Sequence, residues 1–175
     1  VDNAMTRGYA NEIAGNLSKK LNAKTAYTLP CPVIVDNAII SDTLRHDLKV
    51  RSVLECGRQC NKIFVNIALA DKGSCLYQAG YLDDRKVSEL NARNAVGSIC
   101  CRFFDENGKV CDTEIDSRTM GISIEEIRSA ECILACITGL MKAKAVYAAL
   151  RAGLIDVLVI DSLTAAAVLA LASAN

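Results

Sequence analysis

Chemistry in this sequence gathers first around Thr138-Gly139 and Lys142, within the run ITGLMKAKA. A small-residue turn opens a helix there, and the first amides of a helix have no intrahelical acceptor. With a lysine in the first turn, the arrangement suits an anion such as a phosphate group. The plain alternative is a solvated lysine at a helix start, since a cation gains nothing there without an anion to meet. A second set of candidates follows the apolar run KIFVNI, where Asn66, Ala68, Asp71 and Ser74 occupy a loop of small and polar residues. Loops leaving the C-terminal ends of parallel strands are where α/β proteins bind ligands. Taken singly, each of these residues also serves as loop scaffolding. His46 is the sole histidine and no CxxC occurs among the nine cysteines, so no catalytic residue, metal ligand or cofactor is assigned.

The elements that must position these groups form a strand–helix–strand unit. Cys132 to Ile137 and Leu154 to Ile160 are short and apolar on both faces, as parallel strands covered by helices on either side are. Between them, Leu140 to Ala152 places Ala143, Val146, Tyr147 and Leu150 along one helical stripe, with Gly153 as the stop. Upstream, VDNAMT reads as a loop or a cut end, and helical spacing runs from Thr6 to about Leu21. Thr25 to Leu29 reads as a strand ended by Pro30-Cys31-Pro32, with Val33 to Val35 extended beyond it. Asp36-Asn37 caps a helix through Leu44, and a second helix follows the break at His46-Asp47 toward Cys60. KIFVNI is one strand, Asp83-Asp84 start a helix through Leu90, and Ala95 to Phe104 is one strand. The turn Asp105 to Gly108 then closes a hairpin with Lys109 to Cys111, Asp105 bonding its own backbone. The polar stretch Thr113 to Arg118 carries no predicted element, and Ser123 with Glu126 makes a capping box for a brief helix.

With 175 residues the chain is long enough for one domain with a buried core, and no repeat or linker divides it. Twenty basic residues balance twenty acidic ones, which leaves no basic field for nucleic acid or an anionic membrane. Five Tyr, three Phe and no Trp within a 51% hydrophobic composition leave a core of Ile, Val, Leu and Ala, the usual filling of α/β sheets. The Ala/Leu-rich tail after Ser162 is too short and interrupted to span a bilayer, so a soluble cytoplasmic protein is the expectation. Most cysteines sit in apolar runs as small hydrophobes. Cys132 and Cys136 lie on one extended strand, too far apart to share a metal. Cys56 and Cys60 are one helical turn apart, and free thiols are expected throughout.

Several stretches together resemble the sugar-binding effector domain of the SorC family of bacterial transcriptional regulators, related to the DeoR-type regulators. They are NEIAGNLSKKLNAKTAYTLPCPVIVD, VRSVLECGRQCNKIFVNIA, AGYL, AVGSICCRFFDENGKVCD, TMGISIEEIR and TGLMKAKAVYAALRAGLIDVLVIDSLTAAAVL, in the family's order over nearly the whole chain. The resemblance implies an α/β fold: a Rossmann-like, mostly parallel sheet flanked by helices, similar to glucosamine-6-phosphate deaminase and ribose-5-phosphate isomerase. It implies a sugar or sugar-phosphate effector, a homo-oligomer, and DNA binding through a helix-turn-helix domain absent from this chain. By the same resemblance, residues 1–175 form a single effector domain incomplete at its N-terminus, and Lys142, after Thr138-Gly139, meets the ligand's phosphate. Ser98 stands where the family commonly has an acidic residue, and Asn66-Ile67-Ala68 replaces the common GIG; a serine can bond a sugar hydroxyl but not hold it as a carboxylate does. The rival reading on the same fold is a sugar-phosphate isomerase or deaminase. Such an enzyme needs a general base, for which Asp71 is the candidate in the loop.

Overall fold

The structure, a computed structural model, describes residues 9–174. It begins with α1 (Tyr9–Lys20), as the helical spacing predicts. The residues expected to be a loop before Thr6, and the first turn of the helix expected from Thr6, lie outside the described residues. The strand expected over Thr25 to Leu29 does not form: the segment is irregular and largely exposed. Strand character needs a partner ladder, and the two prolines that follow supply no donors for one. Val33 to Val35 is extended, with Ile34 in an antiparallel bridge to Thr119.

Next come α2 (Ala38–His46), where the Asn37 side chain accepts from the Ile40 amide, and α3 (Leu48–Arg58), where Asp47 accepts from Lys49 and Val50. KIFVNI is not one strand. It divides at Asn66 into β1 (Lys62–Val65) and β2 (Ile67–Ala68). A short α4 (Cys75–Gln78) and then α5 (Asp84–Ala92) lead to β3 (Gly97–Ile99) and β4 (Arg102–Phe104). The single strand expected from Ala95 to Phe104 is thus a hairpin of its own. Cys100 and Cys101 turn it with φ of 48° and 64°, the positive values that a two-residue type I′ loop requires. The expected hairpin after Asp105 survives as a bridge between Phe104 and Val110, with Asp105 Oδ1 accepting from the amides of Asn107 and Lys109.

The polar stretch without a predicted element is α6 (Thr113–Arg118), capped by Asp112, which accepts from Glu114 and Ile115. The capping box of Ser123 and Glu126 is present at α7 (Ile124–Arg128). β5 (Cys132–Ile137) matches its expected bounds. A 3₁₀ turn over Leu140–Lys142 leads into α8 (Ala143–Arg151), then β6 (Val157–Ile160) and α9 (Ser162–Ser173).

The strands form two sheets: a parallel one in the order β1-β5-β6 and an antiparallel one in the order β2-β3-β4. The fold is therefore α/β with helices flanking a mixed set of strands, rather than one mostly parallel sheet. The correction has two physical sources: the break at Asn66 diverts the chain out of the parallel sheet, and the Cys100-Cys101 turn folds AVGSICCRFF back on itself. One core serves both sheets, with Val65, Ile67, Ile99, Phe104, Ile133, Ala135 and Ile137 packed with Ala145, Val146 and Ala149 of α8. The parallel sheet is buried on that face alone. Its other face presents Phe64 at 61%, Val157 at 42% and Val159 at 55% exposure, so the expectation of strands covered on both sides is met on one side only.

Candidate functional site

β1 and β5 run parallel and in register from Lys62↔Cys132 to Val65↔Ala135, so Asn66 and the turn Thr138-Gly139 emerge at the same, C-terminal edge of the sheet. Lys142, in the 3₁₀ turn that follows, reaches across this edge and its Nζ donates to Asn66 Oδ1 at 3.4 Å. At that length the bond is weak and leaves the ammonium's other donors uncommitted. Among the described residues no carboxylate pairs with Lys142. Gly139 takes φ 116° and ψ 115°, backbone geometry that side chains disfavour, and this opens the turn. The first bond inside the 3₁₀ turn runs from the Lys142 amide to Gly139 O at 2.9 Å, so the amides of Leu140 and Met141 lie ahead of it.

The Gly139 amide is occupied. It donates to Asp161 Oδ2 at 3.2 Å, while the same carboxylate caps α9 by accepting from the Thr164 amide at 2.9 Å and the Thr164 hydroxyl at 2.6 Å. The Thr164 hydroxyl, then the Thr164 and Gly139 amides, hold the Asp161 carboxyl well below the usual carboxylate range, so it stays ionised. Asp161 is a further residue of this site, outside the candidates drawn from the sequence. The available signal was its place at the end of an apolar run, three residues before Thr164.

The remaining candidates separate. Ala68, two residues after Asn66, is directly paired with Ser98 across β2 and β3, and Ser98 is buried. Asp71 and Ser74 serve their own loop: Asp71 Oδ1 accepts from the Gly73 amide at 3.0 Å, and Ser74 Oγ accepts from the Tyr77 amide at 3.3 Å as the cap of α4. Thr138, Gly139, Lys142 and Asn66 thus form one group, Ala68 and Ser98 an adjoining pair, and Asp71 and Ser74 a loop scaffold.

Residues 1–170 match the Sugar-bind family, described as "Putative sugar-binding domain". The chain belongs to this family of effector domains of SorC/DeoR-type transcriptional regulators. It is 32% identical over 139 residues to the deoxyribonucleoside regulator of Bacillus subtilis (strain 168), covering 79% of this chain and 44% of that protein. With the transcriptional regulator LsrR of Enterobacter sp. (strain 638) the identity is 31% over 147 residues, covering 82% of this chain and 46% of the other. Among solved structures, a DeoR family transcriptional regulator from Listeria monocytogenes superposes with a TM-score of 0.85 at 33% identity, covering 91% of this chain and 64% of that one. The SorC-type domain therefore spans about half the length of these curated relatives.

Membership sets the SorC-type domain among regulators rather than enzymes. His46, the last residue of α2, is exposed and its Nδ1 lies 2.8 Å from Asp42 O. All nine cysteines are free thiols, and Cys60 Sγ contacts Cys56 O at 3.3 Å, consistent with their spacing of one helical turn. Among the described residues no helix is long and apolar enough to cross a membrane, and no group of three or more His, Cys, Asp or Glu side chains is placed to hold a metal ion.

Proposed function

We propose that this SorC-type domain senses a sugar or sugar phosphate held between Lys142, the Thr138-Gly139 turn and Asn66, and that binding adjusts a helix-turn-helix domain carried elsewhere in the longer protein. The observation that supports it most is the Lys142 ammonium, which lies 3.4 Å from an amide oxygen and pairs with no carboxylate among the described residues. A cation beside turn amides at a sheet's C-terminal edge is where a phosphate gains most. Relatives named for deoxyribonucleosides, erythritol and sorbitol point to a polyhydroxylated ligand class. Ser98 and Ala68 would then line the sugar end, with Asp71 and Ser74 shaping the loop that borders it. In this reading residues 1–175 are part of a single effector domain, built on a sheet akin to that of glucosamine-6-phosphate deaminase and ribose-5-phosphate isomerase. The protein acts in the cytoplasm as a homo-oligomer, its ligand preferring one of two quaternary states and so shifting DNA affinity.

Isomerase or deaminase chemistry is the less favoured alternative, because the loop carboxylate that could serve as a base, Asp71, is exposed and holds its own turn through the Gly73 amide rather than joining the group around Lys142. The test is thermal shift with phosphorylated and unphosphorylated pentoses, hexoses and polyols, run beside an isomerase assay. Stabilisation without turnover is the expected result. Lys142→Ala should weaken the phosphorylated ligand about ten-fold or more while leaving its neutral counterpart nearly unchanged. Equal losses for both would remove the phosphate role from Lys142.

A further inference from the structure

Away from Lys142, α2, α3, β4, α6 and the start of α7 converge on an open depression of about 250 Å³ lined by Arg45, Arg58, Arg102, Asp116, Ser123 and Glu126 among others. Three guanidiniums from three different elements meet at its wall, and they are not equivalent. Arg102 is buried and fully engaged: it donates to the carbonyl oxygens of Ile122, Asp116, Thr119 and Gly121 and to the Asp116 carboxylate. Arg58 donates from Nε to Glu126 at 2.6 Å and from Nη1 to Glu55 at 3.3 Å. Arg45 donates from Nε to Ser41 Oγ at 3.3 Å and from Nη2 to Thr119 O at 2.7 Å, and has no carboxylate partner among the described residues.

The unused hydrogen-bonding capacity here is mostly donor capacity. Arg45 keeps Nη1 and Arg58 keeps Nη2, whereas the Ser123 hydroxyl is committed, accepting from the Glu126 amide and donating to the Glu125 carboxylate. Arg102 is paired with Asp116, and Arg58 with Glu126 and Glu55, so among the described residues Arg45 is the guanidinium of the three without a carboxylate partner. Burial, and after it the repulsion of Arg102 and Arg58, holds the Arg45 guanidinium below its ordinary range. An anion between Arg45 and Arg58 relieves that repulsion and takes the free donors of two planar forks, an arrangement that fits a tetrahedral oxyanion.

We infer that the depression between Arg45 and Arg58 is a second anion site, for inorganic phosphate or a small phosphate monoester, independent of the site at Lys142. The experiment is calorimetric titration of inorganic phosphate into the Lys142→Ala variant, with sodium acetate titrated in parallel at equal ionic strength. Saturable binding of phosphate is expected there, weakened about ten-fold or more when Arg45→Gln is added. Because Arg45 also holds Thr119 O, Arg58→Gln in the same background provides a second reading and should cause a comparable loss. Near-UV circular dichroism confirms that each variant is folded. Absence of saturable binding in Lys142→Ala would overturn the inference, as would binding indifferent to both arginine substitutions. Acetate binding as tightly as phosphate would overturn the phosphate assignment.

Discussion

Replacing Gly108 with alanine isolates the contact that seats the FFDENG turn on the helix bearing Lys142 at its other end. Gly108 has φ +70°, and a Cβ added there would stand 2.1 Å from the Cβ of Ala152, just past the end of α8. Arg128 ties the same two points together, donating from Nη2 to Gly108 O at 2.8 Å and from Nε to Ala152 O at 3.3 Å. Holding an L-residue in left-handed geometry costs about 1–2 kcal/mol. Forcing a methyl into a filled space costs about 1–3 kcal/mol more. Together these give about 2–5 kcal/mol, which for a chain of this size lowers Tm by about 4–20 °C. Scanning calorimetry of Gly108→Ala measures the drop, and the double variant Gly108→Ala/Ala152→Gly separates its causes. Ala152→Gly deletes the opposing methyl and should restore the steric share while leaving the backbone strain. If the double variant is no more stable than Gly108→Ala, the clash is not the cause and the close seating of turn on helix is refuted.

Burial raises the Glu126 carboxyl, but the Ser123 amide and Arg58 outweigh it and leave the group below its ordinary range. Its contribution is therefore full above the ordinary glutamate pKa of about 4.3 and is lost as pH falls through the lower folded value. Urea midpoints of Glu126→Gln and the parent should accordingly differ at pH 7 and converge on acidification; a constant gap would discount the role of the charge. Burial, aided by Cys100 and Cys75, pushes the Cys101 thiol up to about 12, and burial with Asp105 pushes Cys111 to about 11. At pH 8 only about one Cys101 in ten thousand is then a thiolate, so iodoacetamide labelling followed by mass spectrometry should find exposed Cys56, Cys60 and Cys136 modified well before Cys101 and Cys111. Cys100→Asn, which places a residue tolerant of positive φ at an exposed turn position, should raise Tm by about 1–2 °C; a decrease would mean that the thiol packs rather than merely turns.

The sequence displayed best those features whose cause is local. Asn37, Asp83 and Ser123 cap helices through bonds to residues three positions on, and such short-range chemistry is written in the order of the letters. Cys132 to Ile137 reads as a strand because its pairing on both sides follows from an uninterrupted apolar run. Non-local causes were hidden. Nothing in Thr25 to Leu29 says that no strand lies beside it, and nothing in AVGSICCRFF betrays a reversal at two cysteines, which rarely accept positive φ. α6 was missed because only Ile115 of its six residues enters the core, too little for a helical stripe. At the candidate site, Lys142 and the Thr138-Gly139 turn were legible from helix-start chemistry. That Asp161 would take the Gly139 amide depended on how two parallel strands end side by side.

Arg102 has a bearing on how this chain folds. Its one guanidinium collects the carbonyls of Asp116, Thr119, Gly121 and Ile122, a stretch that joins α6 to α7. Arg45 also reaches Thr119 O and the Thr119 amide reaches Asp116 O, but the oxygens of Gly121 and Ile122 meet their donor only once β4 is in place, so that part of the loop gains its shape from a side chain nineteen and twenty positions earlier. The loop and the second sheet should thus open and close as one cooperative unit.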